Sequence, residues 1–282
     1  MSEPESRPAQ DAETIRATVR AGYAAVAKQE RSCCGPSCCA PETSTRASAE
    51  RIGYEPGELD AIPDEANLGL GCGNPTALAS LRPGEVVLDL GSGAGIDALI
   101  AARKVGPEGR VIGVDMTPEM LQRARENAAK MGVSRTVEFR EGIIEELPVV
   151  GGSVDVVISN CVINLSPDKP RVFREMFRVL KPGGRVAVSD ICLREPLPAD
   201  IASIAEAYVG CISGALLERD YVEAVRAAGF TDVKTNSRSA APMIEAVLAD
   251  PTLSAIVESI GVERLRSVAE TVLSVSLEAE KP

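Results

Sequence analysis

"VVLDLGSGAGID", residues Val86–Asp97, runs an apolar strand pattern into three alternating glycines and then into helix-forming residues. Only glycine permits so tight a turn and so close an approach of backbone to a ligand, so Gly91, Gly93 and Gly95 mark a strand-to-helix loop. Taken alone, such a triplet also serves as an ordinary turn. Two carboxylates sharpen it. Asp89 precedes the glycines, and Asp115 ends the next strand, "RVIGVD", where a carboxylate can accept hydrogen bonds from both hydroxyls of a ribose. The spacing departs from the GxGxxG dinucleotide pattern, and no Lys-Ser/Thr pair follows, which excludes a P-loop.

Working outward, "EVVLDL", "RVIGVD", "TVEFRE", "VDVVISN" and "RVAVSDI" read as strands. They alternate with helices in "GIDALIAARKV", in "TPEMLQRARENAAKMG" (Thr117 as N-cap, Pro118 at N1) and in "DKPRVFREMFRVLK". This rhythm predicts an α/β fold: a parallel sheet with helices on both faces. Further on, "ERDYVEAVRAAGF" reads as a helix stopped by Gly229, while "FTDVKTNS" and "VLSVSLEAE" read as strands. Residues 240–270 carry short helical patterns, expected as an insertion in an antiparallel terminal hairpin. Near the start, Ile15, Val19, Tyr23 and Val26 give residues 11–29 a helical spacing. The cysteine-rich stretch "RSCCGPSCCAPE" and the polar "APETSTRASAERIG" after it read as loop.

The 282 residues are 45% hydrophobic and 25% charged, enough for a real core, with aliphatic residues filling it because aromatics are 3%. A net charge of −11 argues against a nucleic-acid or anionic-membrane surface. No apolar run approaches a membrane span, and the acidic start "MSEPESRPAQDAE" lacks the basic and apolar parts of a signal peptide. A cytoplasmic protein is expected, with reduced thiols. There are eight cysteines and no histidine, a balance that points to soft-ion binding or redox work more than to a disulfide framework.

"VLDLGSGAG", "GVDMTPEML", "EGIIEELP" and "VLKPGGRVAVSD" together resemble the class I S-adenosylmethionine (SAM)-dependent methyltransferases over about residues 80–195. The resemblance implies a Rossmann-like sheet of seven strands whose last is antiparallel. It also implies that Asp89, Gly91, Gly93 and Asp97 surround the amino-acid end of SAM and that Asp115 holds the ribose. Met116 would pack on the adenine, and Ile144 with Glu145 would meet its edge. Met116 and Ile144 are equally accountable as plain core.

Cys72 in "NLGLGCGNP", Cys161 in "VVISNCVINLSPDK" and Cys211 in "AYVGCISGAL" fall on three loops at the edge where α/β sheets place ligands. Cys192, in "SDICLRE", is placed at or just past a strand end and is read as a small buried hydrophobe. "GLGCGNP", "SNCVINLSPDK" and "GCISGAL", with the early "SCCGP", resemble the arsenite methyltransferases. That resemblance implies that Cys72, Cys161 and Cys211 bind As(III). The second pair, Cys38 and Cys39, and the insertion at 240–270 depart from the family pattern.

The chemistry suits thiols. As(III) is soft and selects sulfur. Three thiols displacing three hydroxyls of arsenous acid form water without a separate base, in keeping with a chain that lacks histidine. Alignment of donor and acceptor then supplies about 7–11 kcal/mol of the barrier. Zinc is the rival ion, but three widely separated cysteines match the usual four-ligand structural zinc site poorly. A SAM enzyme acting on carbon or oxygen would more often carry a His, Glu or Tyr base.

Adjacent Cys33 and Cys34 have Cα atoms about 3.8 Å apart, too close for an ordinary disulfide between them. "CCGPSCC" therefore has three open readings: As(III) capture by Cys33, Cys34, Cys38 and Cys39, a reducible pairing with Cys72 as the family resemblance implies, or an inert exposed cluster. Tyr23 matches a family tyrosine over the SAM pocket and is also accountable as helix core.

The expected organisation is an N-terminal helix and cysteine-rich loop (1–75), a SAM-binding core (76–195) and an arsenite-binding, capping C-terminal region (196–282). The expected function is stepwise methylation of arsenite, with glutathione or thioredoxin as thiol reductant and a monomeric protein. The alternative is a methyltransferase for a small organic molecule with structural cysteines.

Overall fold

The computed structural model describes residues 12–28, 45–198, 214–241 and 261–282. It begins with helix α1 (Ala12–Lys28), followed by the short helices α2 (Thr45–Arg51), α3 (Pro56–Leu59) and α4 (Pro75–Leu78). Then come β1 (Val86–Leu90), α5 (Ile96–Val105), β2 (Arg110–Asp115), α6 (Pro118–Lys130), β3 (Val137–Glu141), β4 (Val154–Asn160), α7 (Lys169–Val179) and β5 (Leu180–Leu193). The chain closes with α8 (Glu218–Ala227), β6 (Thr231–Ser239), α9 (Val262–Ala269) and β7 (Val272–Glu280).

The seven strands lie in the order β3-β2-β1-β4-β5-β7-β6. β1 pairs in parallel with β2 and β4, and β7 runs antiparallel to both β5 and β6. The Rossmann-like sheet with an antiparallel last strand is therefore present, and α9 lies in the connection between the hairpin strands as expected. The remainder of that connection, residues 242–260, lies outside the described residues.

β1 shows why its sequence reads as a near-continuous apolar run. Leu88 and Leu90 enter a core with Val172, Phe173 and Met176 of α7 and Tyr221 and Val225 of α8. Val87 faces the other way, onto Ala98, Leu99 and Ala102 of α5 and Leu121 and Ala124 of α6. A strand covered on both faces has no polar side to show. After Leu90 the chain turns through Gly91 (φ +65°), Gly93 (φ +52°) and Gly95 (φ +99°), all in the left-handed region that glycine enters without penalty. A side chain on Gly91 would also collide with Val162. Gly91→Ala is expected to cost on the order of 2 kcal/mol or more from these two sources, read as a lower denaturant midpoint.

Two local expectations are corrected. Thr45–Arg51, read as loop, is helical. It buries only Ala49 and is held by Arg46, which pairs with Glu50 at 3.2 Å and with Asp60 at 2.7 Å, so no apolar stripe announces it. Strand β5 extends beyond "RVAVSDI" at both ends, starting at Leu180 ahead of Pro182, Gly183 and Gly184 and running on past Ile191. Cys192 therefore lies inside the strand, opposite Leu273 and fully buried.

Candidate functional site

The glycine loop is held from below by Asp115. Its two carboxylate oxygens accept the Gly93 N–H at 3.0 Å and the Thr117 N–H at 2.8 Å. Thr117 stands at the N-cap of α6 with Pro118 at N1, as expected, but its side chain makes no capping bond. Asp97, in the first turn of α5, accepts from the Tyr54 hydroxyl at 2.7 Å and from the Asn160 amide at 3.1 Å. Asp89 is buried, and its Oδ2 has no hydrogen-bond partner among the described residues.

Burial shapes the electrostatics. It pushes Asp89 well above the usual carboxylate range, with the charges of Asp97 and Asp115 adding to the effect. It raises Asp97 to about 6 against the hydrogen bonds from Tyr54 and Asn160, and it raises Asp115 as well. Three buried carboxyls around one loop, one with an open oxygen, favour a cationic ligand.

A cavity of about 820 Å³ opens at the carboxyl edge of the sheet. Gly91, Gly93, Asp97, Asp115, Met116, Ile144 and Glu145 line it. Asp89 does not; it sits behind the loop. Helix α1 contributes Arg16, Val19 and Tyr23 to the wall. Tyr23 also packs with the cluster of Ala27, Ala94 and Met120, so it is cavity wall and helix core at once. Glu145 is buried and accepts from the Ser166 hydroxyl at 2.8 Å, with the Arg16 guanidinium at 3.5 Å. Ile144 lines the cavity and belongs to the core at once.

Cys72 and Cys161 also line this cavity. The Cys72 N–H donates to the Asn160 side-chain oxygen at 3.0 Å, and its thiol lies 3.5 Å from the Ser189 carbonyl. The same carbonyl accepts the Cys161 N–H at 2.8 Å. Cys161 has φ +59°, a left-handed turn for a residue that is not glycine. Such geometry costs about 1–3 kcal/mol and collects at functional positions. Among the described residues, the sulfurs of Cys72 and Cys161 and a carboxylate oxygen of Asp190 all lie within 4.8 Å of one another.

Asp190 is absent from the sequence reading. It accepts from the Asn164 amide and the Ile191 N–H, each at 2.9 Å, and from the Tyr221 hydroxyl at 3.2 Å, while burial raises it to about 7. It lies inside β5, opposite Val275, at the end of the stretch "RVAVSD" that the sequence marks as strand, a placement beside the Cys161 loop that could have flagged it. Asn160, which ties Asp97 to the Cys72 loop, was missed too, although it immediately precedes Cys161. Cys192 joins the core, where burial and the charges of Asp190 and Glu218 hold its thiol well above the ordinary range. Cys211, Cys33, Cys34, Cys38 and Cys39 lie outside the described residues.

These carboxyls set a pH dependence. Asp97 at about 6 and Asp190 at about 7 stand above their unfolded values, so the folded protein binds extra protons between the two limits. Their contribution to stability is fully present below about pH 4 and is lost as pH rises through about 6 to 7. Glu58, Glu85 and Glu175, which are lowered, act in the opposite sense, but below the usual glutamate value. The thermal midpoint of the ligand-free protein is expected to fall between about pH 5 and pH 8, with the protection given by a cationic ligand growing over the same interval. A midpoint that rises over this interval would contradict the assignment.

A methyltransferase domain family matches residues 81–229. An arsenite methyltransferase of Halobacterium salinarum is 49% identical over 233 residues, covering 79% of this chain and 59% of that protein. One from Aquipseudomonas alcaligenes is 40% identical over 204 residues, covering 70% of this chain and 56% of that protein. The crystal structure of CrArsM, an arsenic(III) S-adenosylmethionine methyltransferase from Chlamydomonas reinhardtii, superposes with a TM-score of 0.57 at 33% identity, over 86% of this chain and 74% of that one. The chain belongs to the arsenite methyltransferase family. It spans under three fifths of the length of the two curated arsenite methyltransferases. The cavity has two chemically distinct ends: the glycine loop with its carboxylates and a buried pair of thiols.

Proposed function

We propose that the protein transfers methyl groups from SAM to trivalent arsenic held by the thiolates of Cys72, Cys161 and Cys211. The observation that carries this reading is the convergence of the Cys72 and Cys161 sulfurs in the cavity that also holds the glycine loop. The carboxyls of Asp97 and Asp115 on the cavity wall fit SAM, which is cationic at its sulfonium and its ammonium. Gly91, Gly93 and Asp97, with Asp89 behind the loop, would hold its amino-acid end, Asp115 the ribose, and Met116, Ile144 and Glu145 the adenine. When bound, SAM would supply an electrophilic methyl group for the arsenic lone pair.

The protein's own residues do the positioning. Asn160 fixes the Cys72 backbone while bonding Asp97, so one side chain spans both ends of the cavity. Cys161 is aimed by its left-handed turn and by the Ser189 carbonyl. Glutathione or thioredoxin as reductant, an accessory role for Cys33, Cys34, Cys38 and Cys39, a cytoplasmic setting and a monomeric state belong to this reading, as does the division at residues 75 and 195. Among the described residues, no helix is long and apolar enough to cross a membrane.

The test is the dependence of S-adenosylhomocysteine formation on arsenite. Turnover that requires arsenite supports the proposal. Turnover with an organic acceptor alone would favour the alternative, a small-molecule methyltransferase.

A further inference from the structure

The sequence argument against zinc was that three cysteines make a poor zinc site. The structure adds a donor of a different kind. Asp190 is only 1% exposed, and its carboxylate lies within 4.8 Å of both thiols. As(III) selects sulfur and has no need of a hard oxygen. Zn²⁺ and Cd²⁺ accept mixed sulfur and oxygen donors, and an open zinc site uses three protein ligands and leaves one position to water. We propose that Cys72, Cys161 and Asp190 form a binding site for a d10 divalent cation, Zn²⁺ or Cd²⁺, which competes with arsenite for the two thiols. The cation site stands on geometry alone; only the competition rests on the proposed arsenic ligands.

The surroundings support coordination. The Asp190 carboxylate is oriented by the Asn164 amide, the Ile191 N–H and the Tyr221 hydroxyl. Such partners are what fix a ligating carboxylate in a metal site. The Cys72 backbone is held by Asn160, and that of Cys161 by Ser189. Both thiols line the cavity, so a cation has a way in. Coordination releases the two thiol protons, and the carboxyl proton where Asp190 carries one, to solvent and leaves the cation bound by two thiolates and one carboxylate. A cation and arsenic cannot share those sulfurs. The protein would thus read the ratio of soft divalent cations to arsenite at its own substrate site.

The test uses the full chain with Cys33, Cys34, Cys38 and Cys39 replaced by serine, so that the N-terminal cluster takes no cadmium. Cd²⁺ is titrated and followed by thiolate-to-cadmium charge-transfer absorption. Asp190→Asn is expected to weaken Cd²⁺ binding on the order of 10- to 100-fold, the loss seen when even a supporting group of a metal site is removed. Its arsenite affinity and its SAM affinity are expected to stay close to those of the parent. Equal Cd²⁺ affinity in parent and variant would overturn the proposal, and so would an equal loss for Cd²⁺ and arsenite, which would make Asp190 structural. A second measurement needs no change at Asp190: in the parent, Cd²⁺ should raise the apparent arsenite dissociation constant in proportion to its concentration, and its failure to do so would also overturn the proposal. If the parent bound Cd²⁺ but no arsenite at all, the proposed function would fail while the cation site stood.

Discussion

Cys161→Ser is expected to lower arsenite-dependent methyl transfer at least about 100-fold, equivalent to about 2.7 kcal/mol, while leaving SAM affinity unchanged. Serine is close in size to cysteine and fits the same buried turn, so the fold is retained. What is lost is the soft donor, since a hydroxyl oxygen cannot replace sulfur toward As(III). Cys211→Ser should behave alike. Cys192→Ser is the control: that thiol is packed in the core opposite Leu273, away from the cavity walls, and most activity should survive. Steady-state rates with calorimetric SAM binding decide the matter. A Cys192 variant as damaged as the other two would mean that the wrong cysteines have been chosen.

Asp115→Ala is expected to weaken SAM binding roughly 10- to 150-fold, from the loss of a charged acceptor worth about 1.5–3 kcal/mol. The structure adds a second component. Both Asp115 oxygens already accept backbone N–H groups, from Gly93 and Thr117, so removing the carboxylate also unpins the glycine loop. A carboxylate has about four acceptor directions, which leaves room for a ribose as well. Calorimetric titration of the variant with SAM measures the effect, and an affinity equal to the parent's would contradict the role given to Asp115.

Much of the fold was legible because strong local signals agreed. The glycine triplet placed β1, the loop and α5, and strict alternation in "VLSVSLEAE" placed β7 at its observed limits. Where burial is slight the signal fades. Helix α2 buries one alanine and is held by ion pairs, so its sequence looks like loop. The early start of β5 passes through Pro182, Gly183 and Gly184, where the register against β4 jumps from Leu180 opposite Val154 to Arg185 opposite Val156 and Gly183 takes φ +76°, so the turn preference survives as an irregularity within the strand. The site divides in the same way. Cys161 could be placed at the sheet edge from the strand order alone, and so could Asn160 beside it and Asp190 near the end of "RVAVSDI". That Cys72 joins them could not, because the contact comes from β4 and β5 lying side by side and from the Cys72 loop folding onto both. No spacing within the sequence encodes that contact.

In the proposed reaction arsenic itself receives the methyl group. This is tested most directly by incubating the purified protein with arsenite, SAM and a thiol reductant and then separating the arsenic species over time. The account expects monomethylated and then dimethylated arsenic to appear in step with S-adenosylhomocysteine. Undisturbed inorganic arsenite, from a protein that binds SAM normally, would contradict it.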